Sequence, residues 1–100
     1  LQVQNRRNKK WYDVPFNKNA LIVNTGLALE YLSMGKFKAT NHRVLWNKTK
    51  RMSIPFFFEP SYDFKMSPSF LNGNSYNKNK GIIFEKFLKK SLEKFIEYQR

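Results

Sequence analysis

The pattern of apolar and polar residues predicts a β-hairpin at the start of the chain. Residues 1–3 and 11–14 have strand-like composition, and residues 5–10 between them are polar and charged, as in an exposed hairpin loop. Residues 20–24 (Ala-Leu-Ile-Val-Asn) then form a nearly continuous apolar run. Because such a run is typical of a strand that is buried on both faces, we predict a third strand there.

The middle of the chain predicts one short helix and three further strands. Residues 27–32 form the predicted helix, and Gly35 marks the bend after it. Residues 36–40 alternate basic with small or apolar side chains, as a half-buried edge strand would. Strands over residues 42–46 and 51–58, joined by a polar turn, would be antiparallel neighbours. The first two-thirds of the chain is therefore predicted to be mainly β.

The last third of the chain predicts irregular structure, a polar loop and an amphipathic helix. Residues 59–68 contain two prolines, and residues 72–80 are polar and rich in asparagine, which predicts an exposed loop. From residue 82 onward the apolar residues recur at helical spacing. They are Phe84, Phe87, Leu88, Leu92, Phe95 and Ile96. We expect this apolar stripe to pack against the parent domain rather than on a membrane surface.

Composition limits the classes of protein to which the chain can belong. One hundred residues is the size of one small domain, and there is no apolar run long enough to cross a membrane. The absence of cysteine excludes disulfides and fits a cytoplasmic location. The net charge of +12 comes from scattered basic residues, which favours a solvated surface. Because the chain lacks a starting Met and opens in a strand-like sequence, we expect a piece of a longer protein.

Candidate chemistry is concentrated in residues 41–58. Arg51 and Ser53 lie two positions apart, so in a strand they project from one face, where a guanidinium beside a hydroxyl suits recognition of a carboxylate. His42, the only histidine, leads the preceding predicted strand and could bind a metal. There are two structural alternatives. A lone histidine in a strand is more often a hydrogen-bonded polar residue, and Arg51 could form a structural salt bridge.

Five segments of the chain share their pattern with one family. They are residues 1–3 (Leu-Gln-Val), 20–26 (Ala-Leu-Ile-Val-Asn-Thr-Gly), 29–39 (Leu-Glu-Tyr-Leu, then Gly-Lys-Phe-Lys-Ala), 42–44 (His-Arg-Val) and 51–57 (Arg-x-Ser, then Pro-Phe-Phe). Together they resemble the C-terminal half of the iron(II)-dependent dioxygenases related to isopenicillin N synthase, which include the plant 2-oxoglutarate oxygenases. In that family a metal-binding histidine precedes an Arg-x-Ser pair by nine positions, which is the separation of His42 and Arg51.

The resemblance implies an all-β fold, the C-terminal part of a double-stranded β-helix (jelly roll), with a C-terminal amphipathic helix. Residues 1–70 would belong to the jelly roll, residues 71–81 would be an exposed polar loop, and residues 82–100 would be the helix packed on the domain. The parent protein would be a non-haem Fe(II) oxidoreductase that couples the reduction of dioxygen to the oxidation of a small organic substrate. Its expected co-substrate is 2-oxoglutarate, and ascorbate is a candidate reductant.

The resemblance also implies a role for each candidate site residue. His42 would bind iron through a neutral imidazole, Arg51 would pair with the far carboxylate of 2-oxoglutarate, and Ser53 would hydrogen-bond the same group. Val44 and Phe57 would line the pocket. The family takes its other two iron ligands from an upstream His-x-Asp pair, and this chain has no second histidine. We therefore expect an upstream half of the same protein to supply those ligands, and the chain alone to bind iron weakly and to be inactive.

Two other functions stay open at this point. Relatives that use no 2-oxoglutarate also carry the Arg-x-Ser pair and hold a substrate carboxylate with it, so an iron oxidase of the same fold is the first alternative. The second is a small basic module that binds single-stranded nucleic acid through the charged, aromatic hairpin. Its contact residues would be Arg6, Arg7, Lys9, Trp11 and Tyr12. Neither nucleic acid nor a membrane is the partner that we expect.

Overall fold

The computed structural model describes residues 1–46, 50, 52–68 and 81–94 of the chain. In chain order the elements are β1 (Gln2–Gln4), β2 (Trp11–Asp13), α1 (Leu27–Leu32), β3 (His42–Arg43), β4 (Lys65–Met66), β5 (Ile82–Ile83) and α2 (Phe84–Leu92). One sheet has the strand order β2-β1-β3, and the other pairs β4 with β5. All of these pairs are antiparallel. The described part of the chain thus consists of two small antiparallel sheets and two helices.

The predicted hairpin is confirmed. β1 and β2 pair antiparallel, with Val3 opposite Tyr12. The Asn5 side chain organises the loop, because its Oδ1 accepts hydrogen bonds from the backbone N–H groups of Arg7 and Asn8 at 2.9 and 3.3 Å. A side chain that hydrogen-bonds the backbone two residues on is a recurrent turn former. Local turn chemistry therefore helps to set the register of the two strands.

The helix predicted over residues 27–32 is confirmed as α1, and the bend after it has the expected glycine. Gly35 has φ +78°, and its backbone N–H donates to the Glu30 carbonyl at 2.8 Å, which closes the end of the helix. Ser33 is fully buried in this bend. Its hydroxyl donates to the Glu30 carbonyl at 3.2 Å and accepts from the Phe37 backbone N–H at 3.0 Å. The bend directs residues 36–40 back past α1.

Phe84 and Met66 form a small core where α2 begins. Their side chains are 1% and 0% exposed, and the ring of Tyr62 stacks on Phe84 at 6.3 Å between centroids. The backbone N–H groups of Phe84 and Glu85 donate to the carbonyls of Phe64 and Tyr62 at 2.9 and 3.0 Å. These bonds satisfy donors that the start of a helix leaves without intrahelical partners. Packing and backbone pairing together fix the start of α2.

The predicted C-terminal amphipathic helix is confirmed over Phe84–Leu92. Its lysines are exposed, and the ring of Phe87 packs against Tyr31 of α1 at 5.5 Å between centroids. Neither helix in the described part of the chain is long and apolar enough to cross a membrane. Residues 71–80 of the predicted loop and residues 95–100 of the predicted helix lie outside the described residues. The division into jelly-roll part, loop and helix stays a prediction.

Several strand predictions are wrong within the described residues. Residues 20–24, 36–40 and 52–58 form no strand, and the strand predicted over residues 42–46 is limited to β3. The run at 20–24 is also not buried, since two of its apolar side chains are 90% and 91% exposed. A strand forms only where its backbone groups find a partner strand. Apolar composition alone did not establish that such a partner was present.

Gly81, immediately before β5, is expected not to tolerate a side chain. Its φ is +153°, and a Cβ atom there would overlap the carbonyl oxygen of Met66 and lie 3.1 Å from the carbonyl carbon. Because these are backbone atoms of β4, the strand pair would have to shift. We expect Gly81→Ala to lower the free energy of unfolding by roughly 2 kcal/mol in urea denaturation. Gly26→Ala is the matched control, since a Cβ at Gly26 meets nothing within 4 Å; equal losses would contradict the steric argument.

Candidate metal centre at His42

His42 lies on a strand whose position is set by β1. Val3 opposes His42 in antiparallel register. Just before β3, the Asn41 carbonyl accepts a hydrogen bond from the Gln4 backbone N–H at 2.9 Å. The backbone of His42 is thus anchored to the central strand of the sheet, while its side chain is exposed. An exposed imidazole on an anchored backbone is available to a ligand.

The imidazole of His42 is oriented by the backbone two residues before it. Its Nδ1 lies 2.8 Å from the carbonyl oxygen of Thr40. Because a carbonyl oxygen only accepts hydrogen bonds, this contact assigns the donor role to Nδ1 and leaves Nε2 as the ring nitrogen that can offer a lone pair to a metal. Metal-binding histidines are commonly held this way, with the other ring nitrogen donating to a backbone carbonyl or carboxylate. The arrangement suits metal ligation through Nε2.

The residues before His42 are tied to other parts of the chain. The Thr40 backbone N–H donates to the Thr25 carbonyl at 3.0 Å. The backbone N–H of Ala39 donates to Oε2 of Glu30 at 2.6 Å, and the Ala39 carbonyl accepts from Nη2 of Arg6 at 2.8 Å. The segment that carries the Thr40 carbonyl is therefore bound to both α1 and the hairpin loop.

Glu30 is the centre of a charge cluster with Arg6 and Lys38, which we call the Glu30 cluster. Its carboxylate oxygens lie 3.5 Å from Nη2 of Arg6 and 3.5 Å from Nζ of Lys38, and its side chain is 27% exposed. The hydrogen bond from the Ala39 backbone holds the pKa of Glu30 below its ordinary value of 4.5. Partial burial opposes this shift, and the charges of Lys38 and Arg6 add to it. Glu30 is thus ionised at neutral pH.

Lowering the pH is expected to protonate Glu30 and so to break its ion pairs with Arg6 and Lys38. Because the folded-state pKa of Glu30 lies below 4.5, the stability that its charge contributes is fully present above the unfolded-state pKa. It is lost as the pH falls through the folded-state pKa. Urea denaturation from about pH 7 down to about pH 3 should therefore show wild type losing its advantage over Glu30→Gln.

A matched variant controls for the loss of one negative charge. Glu59→Gln removes an exposed carboxylate that makes no hydrogen bond or ion pair within the described residues. An advantage of wild type over Glu30→Gln that grew as the pH fell would contradict the assignment of the Glu30 charge.

Only part of the predicted site can be placed. Arg51 lies outside the described residues. Ser53 is exposed, as are Val44 and Phe57, with exposed fractions of 59% and 73% for the last two. Within the described part of the chain, no hydrogen bond or ring contact joins His42 to any of these three. The assembly of the candidate residues into one pocket stays a prediction.

The donor set fits one ligand of an iron site. Among residues 1–46, 50, 52–68 and 81–94, no group of three or more His, Cys, Asp or Glu side chains could hold a metal ion. A non-haem Fe(II) centre of the facial-triad type uses two histidines and one carboxylate. His42 can supply one of these ligands through Nε2, because its Nδ1 is already engaged by the Thr40 carbonyl.

The basic hairpin, the candidate surface for nucleic acid, is partly engaged within the chain. Arg6 binds Glu30 and the Ala39 carbonyl. The guanidinium of Arg43 lies 4.1 Å from the ring centroid of Trp11, a cation–π contact that covers one face of the indole. A ring covered in this way offers less surface for stacking of a base.

Sequence reasoning missed the Glu30 cluster, although one signal was present. Glu30 is the one acidic residue of the predicted helix over residues 27–32, in a chain with 19 basic and 7 acidic residues. A lone carboxylate in such a chain is expected to find a cationic partner. Its partners Ala39 and Arg6 lie 9 and 24 positions away, so no local pattern identifies them.

Comparison with known proteins decides the family. The model of the 2OG-Fe(II) oxygenase superfamily matches residues 1–60. The chain belongs to this superfamily. The resemblance seen in the sequence is therefore confirmed, and with it the family's association with Fe(II) and 2-oxoglutarate. The two small antiparallel sheets are consistent with the double-stranded β-helix of this superfamily.

The matches to individual relatives cover most of this chain but only a small part of each relative. The chain is 46% identical over 68 residues to a flavonol synthase/flavanone 3-hydroxylase of Solanum tuberosum, covering 67% of this chain and 20% of that protein. It is 32% identical over 89 residues to a 2-oxoglutarate-dependent dioxygenase of Monascus ruber, and this match covers 88% of this chain and 27% of that protein. Isopenicillin N synthase of Streptomyces clavuligerus is 29% identical over 87 residues, a match that covers 86% of this chain and 26% of that protein. The chain thus spans a fifth to about a quarter of these relatives. No solved structure matches it.

Proposed function

We propose that the protein containing this chain is an Fe(II)- and 2-oxoglutarate-dependent oxygenase that oxidises a small organic substrate with dioxygen. The observation that carries the proposal is the placement of His42, whose Nδ1 lies 2.8 Å from the Thr40 carbonyl oxygen, which leaves Nε2 as the ring nitrogen available to a metal. Membership of the superfamily supports the metal and co-substrate. The relative of Monascus ruber, named as 2-oxoglutarate-dependent, supports the same co-substrate.

The roles of the chain's own residues follow from their chemistry. His42 would hold the iron through Nε2, and the rest of the protein would supply the other ligands. Arg51 would bind the far carboxylate of 2-oxoglutarate with parallel N–H donors, and the Ser53 hydroxyl would donate to the same carboxylate. Val44 and Phe57 would form apolar walls that exclude water. Bound iron would supply the oxidation with dioxygen.

We also propose that residues 1–70 form the C-terminal part of the family's jelly roll, with residues 71–81 as a loop and residues 82–100 as a helix packed on it. The pairing of β1 with both β2 and β3 supports the sheet, and the contact of Phe87 with Tyr31 supports the packing of the helix. The exposed apolar side chains of residues 52–58 are what a strand awaiting a partner would present.

The test uses the full-length protein under anaerobic conditions. Fe(II) is added first and 2-oxoglutarate second, and the weak visible absorption of a metal-chelated keto acid is recorded. The proposal requires a band in wild type that is lost in His42→Ala and Arg51→Ala. We expect Ser53→Ala to keep the band but to need about fivefold more 2-oxoglutarate, because one hydrogen bond is removed.

The other outcomes separate the alternatives. Iron binding without the band would favour the oxidase of the same fold, in which Arg51 and Ser53 hold a carboxylate of the substrate itself. Absence of iron binding by the full-length wild type would contradict the proposal. Salt-dependent binding of a generic oligonucleotide would then favour the nucleic-acid-binding module.

A further inference from the structure

We propose that Glu30 is a positioning residue for His42: by fixing the backbone before β3, it holds Nε2 of the imidazole in place for iron. The inference rests on the proposed iron site, because His42 must be a ligand for its position to matter. Glu30 binds none of the candidate ligands. It acts through Ala39 and Thr40, which separate it from His42.

The first step is the clamp on the peptide groups of Ala39. Oε2 of Glu30 accepts from the Ala39 backbone N–H at 2.6 Å, and Nη2 of Arg6 donates to the Ala39 carbonyl at 2.8 Å. Both polar backbone groups of this buried residue are therefore bound by charged side chains. Hydrogen bonds to charged groups are about twice as strong as neutral ones. Nη2 of Arg6 also lies 3.5 Å from Oε2 of Glu30, so the two side chains that bind the peptide groups of Ala39 are paired with each other.

The second step passes from Ala39 to the imidazole. Thr40 follows Ala39 directly, and its carbonyl oxygen is the atom that binds Nδ1 of His42 at 2.8 Å. A shift of the Ala39 peptide would carry this carbonyl with it. Residues 36–40 form no strand, so no ladder of backbone hydrogen bonds holds them. Besides the Glu30 cluster, Ser33 holds the start of this segment through the backbone N–H groups of Lys36 and Phe37, and contacts with Thr25 restrain its end.

The charges favour a local effect over a global one. The side chains of Arg6 and Lys38 are about half exposed, at 47% and 53%. Ion pairs with exposed partners contribute little to overall stability. The short hydrogen bond from Ala39, in contrast, acts on the segment that orients His42. Loss of Glu30 should therefore disturb the metal site more than the fold.

The experiment measures two properties of the full-length protein that do not depend on turnover. Co(II) is the metal probe, titrated by its visible absorption, and ¹⁵N NMR reports the tautomer of His42 in metal-free protein, assigned with His42→Gln. Groups that hydrogen-bond a metal ligand directly typically contribute 10- to 100-fold to metal affinity. Glu30 acts one step further away, through Ala39 and Thr40, so we expect Glu30→Ala to weaken Co(II) binding by the low end of that range, about tenfold. We also expect it to reduce the preference for the Nδ1–H tautomer.

Two further variants test the mechanism. Glu30→Gln keeps an oxygen that can accept from the Ala39 N–H, so it should restore Co(II) affinity to within about threefold of wild type. Glu85→Ala is the matched control, because Glu85 is also a paired glutamate, 2.7 Å from Lys89, but lies on α2. We expect wild-type Co(II) affinity and tautomer from Glu85→Ala.

Each remaining outcome decides the inference. Unchanged Co(II) affinity and tautomer in Glu30→Ala would overturn the positioning role and leave the proposed function standing. If wild type binds no Co(II), the proposed function fails, and an unchanged tautomer in Glu30→Ala would overturn the inference separately. If Glu30→Ala does not fold, Arg6→Ala replaces it, since it removes the contact with the Ala39 carbonyl. About a fivefold loss of Co(II) affinity is expected there, and no loss would overturn the proposal.

Discussion

Replacing His42 with alanine is expected to remove iron binding and, with it, oxygenase activity from the full-length protein. Nδ1 of His42 lies 2.8 Å from the Thr40 carbonyl oxygen, so under the proposed function Nε2 is the atom that would hold the metal and that the variant removes. Loss of a mere partner of a metal ligand costs 10- to 100-fold in affinity, and loss of the ligand itself should cost more than about 100-fold. Anaerobic calorimetry with Fe(II) and consumption of 2-oxoglutarate measure the two effects.

The control for this variant is the residue beside it. Asn41→Ala removes an exposed side chain whose Nδ2 donates to Oε1 of Gln4 at 3.1 Å, so it perturbs the same region without touching the imidazole. Its iron affinity should stay within about twofold of wild type. We expect His42→Ala to lose iron binding with little loss of stability, because the one exposed hydrogen bond that it removes contributes about 1 kcal/mol or less to the free energy of unfolding. Wild-type iron affinity in His42→Ala would show that the histidine is structural.

Replacing Phe84 with alanine is expected to lower the free energy of unfolding by about 3–5 kcal/mol. Phe84 is 1% exposed, is one of two fully buried large apolar side chains among the described residues, together with Met66, and stacks on Tyr62 at 6.3 Å between ring centroids. Truncation removes this apolar contact and leaves a cavity under the start of α2, where backbone hydrogen bonds limit collapse. Urea denaturation, followed by circular dichroism, measures the loss.

Two variants calibrate the size of that effect. Phe84→Leu keeps most of the buried volume and should cost less than about 1.5 kcal/mol. Phe16→Ala removes an aromatic ring that is 90% exposed and should change stability by less than about 0.5 kcal/mol. If the alanine variants of Phe84 and Phe16 lost equal stability, the core at the start of α2 would be wrongly assigned.

The elements that could be predicted from sequence are those with local determinants. The hairpin is closed by the Asn5 side chain and its neighbours, and α1 ends at Gly35, whose positive φ suits glycine. The strand predictions for residues 20–24 and 52–58 were wrong because a strand needs a partner strand, which composition does not reveal. β4 and β5 were missed for a different reason. Each has two residues, too few for an alternating pattern, and Met66 pairs with a distant Ile82.

The candidate site, too, could be predicted only where it does not depend on contacts between distant segments. His42 could be singled out from its residue type and its spacing to Arg51, and membership of the superfamily confirms the resemblance that this spacing supported. The contacts of Glu30 with Ala39 and Arg6 could not be predicted, because they join three separate segments. Chemistry-bearing residue types are visible in a sequence, whereas the groups that orient them depend on the fold.

The exposed run of residues 52–58 has a consequence for how the chain avoids self-association. These residues are uncharged, apart from Ser53 they are apolar, and all of them are exposed. Uncharged apolar segments that lack proline are the kind that stack into cross-β fibrils. Pro55 stands at the centre of the run, and because proline has no backbone N–H and a fixed φ, it interrupts the row of donors that a second copy would need. We therefore expect Pro55 to oppose amyloid-like stacking of this exposed run.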